Sequence, residues 1–200
     1  MIVAYPMVEE DEATGRVAAV YAAVLEQAPF VPSLLKSLAV CPPYVVLAWE
    51  QAAPVLASAD AAETVERLAA SVTDAATPPG DPRDRRLLAG FVEPLGRMLL
   101  VSCGLLAALE GALAGRPSAR GSAPPAPSQP LRSSVAPIGG LAAHADVLGR
   151  VRAALDTPIV NSVWRRAAEE GRLEALWDQL EPQATANRAR ADALHDAATA

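Results

Sequence analysis

The residues best suited to chemistry come in two matching phrases. Pro32-Ser33 is followed by Lys36, and Asn161-Ser162 by Arg165, so each phrase offers a helix-start residue and then a cation one turn on. The first turn of a helix exposes unpaired amide N–H groups and carries partial positive charge. Two such starts brought together, with Ser33, Lys36, Ser162 and Arg165 around them, make a place for the carboxylate of a small ligand. The plain alternative is a pair of ordinary helix starts with both cations in water. Trp49 and Trp177 stand in equivalent surroundings and are expected to pack a helix seam. Trp164 adjoins Arg165 and reads either as pocket wall or as core.

Other polar side chains offer less. Ser102 and Cys103 lie inside the apolar segment Met98 to Leu109. Ser102 is the candidate polar group on a pocket floor, while Cys103 reads as a small buried hydrophobe. His144 and His195 lack metal-ligand spacing, and His144-Ala145-Asp146 does not put its two polar side chains on one helical face. Cys41 and Cys103 form no CxxC pair, and no phosphate loop or nucleophile elbow occurs. The expectation is chemistry without metal or cofactor.

These residues must be positioned by helices. Val17, Val20, Tyr21, Val24 and Leu25 recur at helical spacing, predicting a helix from about Glu10 to Gln27 whose start is the acid run Glu9 to Glu12, read as a solvated entry. Further helices are expected over Pro32–Val40, Tyr44–Ser58 with a bend at Pro54, Ala61–Thr73, and Arg85–Ala114 with a kink near Pro94. The apolar second half of that long helix reads as a buried core element, with Gly104 and Gly111 allowing close backbone approach. Residues 115–140 are rich in Pro, Ser and Gly and read as a linker. Beyond it, helices are expected over Leu141–Asp156, Asn161–Glu169, Leu173–Leu180 and Gln183–Ala198. No segment alternates long enough for a strand, so the fold class is all-α.

The linker separates two stretches that align. Residues 29–39 (PFVPSLLKSLA) match 158–168 (PIVNSVWRRAA), Trp49-Glu50-Gln51 with Pro54 matches Trp177-Asp178-Gln179 with Pro182, and Gly15-Arg16-Val17 recurs as Gly149-Arg150-Val151. Tryptophan is rare, three in the chain, which makes the shared frame a sign of duplication. The reading is a first repeat over 1–114, a linker over 115–140 and a truncated second repeat over 141–200, fused as one pseudo-twofold bundle. The second repeat lacks its own long helix, so it is expected to borrow Met98 to Leu113 or to be covered by another subunit, as in a homodimer.

PFVPSLLKSLAVCPPYVVLAW and PIVNSVWRRAAEEGRLEALW resemble the group I 2-haloacid dehalogenase family, which is all-helical and built from two related repeats joined by a linker. The VP-x-L-L-x-x-L-A phrase is also similar to carboxymuconolactone decarboxylase and AhpD-like proteins, although the AhpD-like redox pair CxxC is missing. The dehalogenase resemblance implies a pocket between the repeats in which an aspartate activates water to displace halide from a 2-halo acid. It places that aspartate after a short polar residue at the start of the second-repeat helix, where this chain has Val163 after Ser162. Under the resemblance Asp156 becomes the base, Asn161 orients the water and Arg165 holds the carboxylate.

Composition narrows the partners. With 52% hydrophobic residues, 20% charged and a net charge of −6, the chain is neither globally disordered nor a broad nucleic-acid binder. The segment Met98 to Leu109 is shorter than the ~20 residues of a membrane span. The amino terminus has no basic and apolar leader pattern, and two separated thiols suit a reducing compartment, so a cytoplasmic protein is expected. The function expected is action on a small carboxylic acid or apolar metabolite. The alternative is a non-catalytic binding or assembly module.

Overall fold

The computed structural model describes residues 5–75, 77–111, 130–131, 135 and 138–199. Most of the Pro-rich linker thus lies outside the described residues. The elements in chain order are α1 (Gly15–Leu25), α2 (Ser33–Leu38), α3 (Pro42–Leu56), α4 (Ala59–Ala75), α5 (Pro82–Leu109), a 3₁₀ turn (Ile138–His144), α6 (Ala145–Leu155), α7 (Ser162–Glu169) and α8 (Leu173–Thr199). The fold is all-α, with no strand among the described residues.

Helix α1 begins five residues later than its periodicity predicts. Gly15 has φ of +54°, a left-handed conformation that glycine adopts without a Cβ clash, and it separates α1 from the acid run. Residues 5–14 accordingly form an irregular amino-terminal strap. Helix α5 starts sharply because Asp81 caps it, its side chain accepting from the Arg83 amide at 2.8 Å, and because Pro82 fits the first helical position. It runs through Pro94, and α8 likewise runs through Pro182, joining into one helix what the sequence divides at that proline.

Two apolar clusters organise these helices. The first collects Val17, Val20, Tyr21 and Val24 of α1, Val31 and Leu35, and Val45, Val46 and Trp49 of α3, with Val101 of α5. The second collects Leu148 and Val151 of α6, Val163, Trp164 and Ala167 of α7, and Leu173, Leu176 and Trp177 of α8, completed by Phe30, Leu87 and Phe91 from the first half. The later half does borrow from α5, but from its amino-terminal turns rather than from the described part of Met98 to Leu113; Ala112 and Leu113 lie outside the described residues. Met98, Val101 and Leu105 pack on the first cluster instead.

The expected burial of α5 is corrected as well. Its most apolar 18 residues have a mean hydropathy of 1.6, long and apolar enough by composition to cross a membrane, yet only 11% of that window is buried. In this fold the helix packs on α3, α4, α7 and α8 and leaves Leu95, Leu106 and Leu109 exposed. The close approach assigned to Gly104 and Gly111 occurs at Gly96, where a Cβ would meet Val65 Cγ1 of α4 at 3.3 Å; nothing lies within 4 Å at the other two.

Candidate functional site

The two matching phrases form matching local structures. Pro32 (φ −61°, ψ 145°) and Asn161 (φ −64°, ψ 155°) cap α2 and α7 with nearly the same extended backbone, and neither side chain caps its helix. Lys36 and Arg165 then donate their amides to the carbonyls of Pro32 and Asn161. Both helices bury this first turn: Ser33 and Ser162 are each 5% exposed, Lys36 1% and Arg165 0%.

Neither cation reaches solvent, and both meet a carboxylate from the chain itself. Lys36 Nζ donates to Glu9 Oε2 at 2.7 Å and also pairs with Glu10. Arg165 Nη1 bridges both Glu9 oxygens, at 2.8 and 3.1 Å, while its Nε donates to the Val160 carbonyl at 3.2 Å. The start of the acid run is therefore inserted rather than solvated: Glu9 is buried and Glu10 half-buried, while Asp11 and Glu12 stay exposed. The strap is tied by the Val8 amide on the Lys36 carbonyl (3.0 Å) and by the Tyr21 hydroxyl donating to the Val8 carbonyl (2.8 Å). Burial opposes ionisation of Glu9, but the Lys36 hydrogen bond and the charges of Arg165 and Lys36 outweigh it and hold the carboxyl below its ordinary value. Burial and the neighbouring Glu10, Glu9 and Glu12 charges push the Tyr21 phenol up.

The other expected site residues do not join this pair. Trp49 lies in the first apolar cluster, and the cavity it borders is only about 20 Å³, room for about one water. Trp164 and Trp177 pack edge to face at 5.4 Å in the second cluster, so Trp164 is core. Ser102 is exposed and donates to the Met98 carbonyl one turn back, which removes it from any pocket floor. Asp156 is exposed, with φ of +50° at the end of α6. Asn161 is half-buried at the cap of α7. The side chain of His195 lies outside the described residues.

A cleft of about 720 Å³ opens elsewhere, between α5 and α7. Pro29, Phe30, Leu87, Gly90 and Phe91 give it an apolar floor, and Arg83, Arg86, Arg166 and Arg172 ring it together with Glu170. Phe30 and Phe91 lie 5.0 Å apart between ring centres. Arg172 is fixed by Asp84 (two bonds of 2.9 Å) and Asp81 (2.6 Å), and Arg166 donates to Glu170 at 2.8 Å. The Arg172 hydrogen bond, helped by Gln179 and opposed by burial, keeps the Asp84 carboxyl below its ordinary range. Arg83 and Arg86 are exposed. Four arginines thus line the cleft, two of them, Arg166 and Arg172, paired to carboxylates, and its volume lies in the range of small-molecule sites.

Sequence reasoning missed this cleft. Its signal was the group of arginines from Arg83 to Arg86 at the head of α5, together with Phe30 and Phe91, two of the few aromatic residues. Among the described residues no group of His, Cys, Asp and Glu suits a metal ion.

No family model and no curated protein matches the chain. Solved structures do. A D-2-haloacid dehalogenase mutant in complex with D-2-CPA matches with a TM-score of 0.66 at 21% identity, over 96% of this chain and 77% of that one. A D-2-haloacid dehalogenase with L-LA matches at 0.66 and 19% identity over the same shares. A further D-2-haloacid dehalogenase mutant reaches 0.67 at 18%. At this identity the likeness establishes a dehalogenase-like all-α fold.

Proposed function

We propose that this protein takes a small organic carboxylate with an apolar body into the α5–α7 cleft and acts on it without a metal. The observation that carries the reading is the cleft's composition, an aromatic and aliphatic floor under a rim of arginines. Such a rim recognises a carboxylate through paired N–H donors while the floor desolvates the remainder of the ligand. The fold adds support, since it is similar to that of solved D-2-haloacid dehalogenases. In a hydrolytic version a water attacks the carbon bearing the halogen, halide leaves and a carboxylate takes the proton. Glu170 is the carboxylate that lines the cleft, whereas Asp156 stands exposed at the end of α6.

The test is titration of the protein with both enantiomers of 2-chloropropionate, with propionate and with propanol, followed by calorimetry and by halide release. Carboxylates should bind and propanol should not, and Arg83→Glu with Arg86→Glu should weaken carboxylate binding at least about tenfold. Equal affinity in that double variant would refute the cleft. Halide release abolished by Glu170→Gln would support turnover there. Binding without release from any 2-halo acid would leave a carboxylate-binding protein.

A second reading, assembly with a second copy, rests on α5, whose Leu95, Leu106 and Leu109 are exposed at 48%, 42% and 74%. Soluble monomers rarely leave a large contiguous apolar patch uncovered. Sedimentation of the wild type against Leu106→Glu/Leu109→Glu decides this; a wild type that is already monomeric refutes it.

A further inference from the structure

Two buried cations that converge on one carboxylate, as Lys36 and Arg165 do on Glu9, make charge-assisted hydrogen bonds of the kind that recognise carboxylate ligands. Here the cations come from the two halves of the chain, at corresponding positions of α2 and α7, and their partner arrives on an irregular strap rather than on a packed helix. We propose that Lys36 and Arg165 form a carboxylate-binding site whose resident occupant is Glu9, and that withdrawal of the strap opens it to a free small carboxylate.

The fit of the strap argues for this over a purely structural lock. Glu10 Oε1 and Ser33 Oγ are buried beside it without any hydrogen-bond partner among the described atoms. Buried polar atoms left unpaired favour the state that returns them to water. Glu9 takes only Nη1 of the arginine, whose Nη2 donates to nothing stronger than the Met7 sulfur at 3.5 Å, so the strap fills the site imperfectly while the two cations face one carboxylate. Apart from the ion pairs of Glu9 and Glu10 themselves, the strap is held by the Val8 amide on Lys36, the Tyr21 hydroxyl on Val8, a long Arg165 to Met7 contact and the packing of Val8 and Ala13 on the first cluster. None of this draws on the α5–α7 cleft, which is lined by other residues.

The experiment uses the full chain as wild type, Glu9→Ala and Glu9→Ala/Arg165→Met, each also carrying Arg83→Glu and Arg86→Glu so that acetate binding in the α5–α7 cleft does not enter the comparison. Each is titrated with sodium acetate against sodium chloride at matched ionic strength, followed by thermal unfolding and by the carboxyl carbon resonance of labelled acetate. Acetate should bind Glu9→Ala saturably and raise its melting temperature, where chloride does not. Wild type should bind at least about tenfold more weakly, because a tethered carboxylate competes at an effective concentration of millimolar or more. The double variant should lose the acetate response. A Glu9→Ala protein that answers acetate no better than chloride overturns the proposal, as does an equal response in the double variant. Where Glu9→Ala does not fold alone, its refolded yield is measured in acetate and in chloride: an acetate-specific gain supports the site, and equal yields overturn it.

Discussion

Replacing Arg165 by Met, alone and with Glu9→Gln, probes the charge balance that joins the two halves. Glu9 and Glu10 face Lys36 and Arg165, two negative groups against two positive, in a cluster where the cations are 1% and 0% exposed. Arg165→Met leaves one carboxylate in excess, and Glu9→Gln leaves one cation in excess. Breaking a buried pair from one side costs about 3–5 kcal/mol, because the partner stays charged and unpaired. For a chain of this size that lowers the melting temperature by roughly 6–20 °C. The double variant restores balance through Glu10 and Lys36, so it should cost about as much as one single variant rather than their sum. Urea unfolding followed by tryptophan fluorescence reads all four proteins, with unchanged denaturant slopes as the check on comparability. The pH dependence has a definite sign. The folded-state carboxyl of Glu9 lies below its ordinary 4.5, so its contribution is complete above that value and is lost as pH falls through the folded value. The deficit of Arg165→Met should therefore shrink in acid. Additivity of the two variants within about 0.5 kcal/mol, or an Arg165→Met cost under about 1 kcal/mol as for an exposed pair, would refute the reasoning.

Arg172→Gln should destabilise the protein at neutral pH and progressively less below pH 3.8, the ordinary Asp value, because the depressed Asp84 carboxyl contributes only while ionised; a pH series of melting temperatures checks it. Trp164→Ala should cost about 3–5 kcal/mol in urea unfolding, as a buried aromatic that packs edge to face on Trp177. Ser102→Ala should fall within about 0.5 kcal/mol of wild type in the same assay and leave ligand binding unchanged, since its hydroxyl serves only its own helix.

The helices were legible because their apolar residues recur at helical spacing, and Ser33 and Ser162 were legible as starts because both phrases place a small polar residue just before an apolar run. What periodicity does not encode is where a polar side chain ends up. Glu9 to Glu12 fits a helix entry by composition, yet Gly15 interrupts the helix and the strap folds back, so a charge expected in water becomes buried. The cleft was illegible for a related reason. Its arginines are spread from Arg83 to Arg172, and only packing of α5 against α7 gathers them. The burial of α5 failed in the opposite sense, because a uniformly apolar helix gives no face preference and α5 divides its contacts between two clusters.

Helix α7 connects the lock to the cleft. Its consecutive residues Arg165 and Arg166 project about 100° apart, so one helix sends the first guanidinium inward to Glu9 and the second to the cleft rim beside Glu170. The helix spans only 8 residues, too short to be stable by itself, and its inner face is held by Arg165 as well as by Val163, Trp164 and Ala167. Loosening the inner anchor is expected to shift Arg166, since both side chains ride on the same short helix. Any free energy by which the lock favours the cleft-competent position of α7 appears equally as an effect of cleft ligand on the lock. Arg165→Met should thus weaken carboxylate binding in the cleft several-fold without touching the ligand, and cleft ligand should slow exchange of the Val8 amide at the strap. Unchanged cleft affinity in an Arg165→Met protein that is fully folded would show that the two sites are energetically separate.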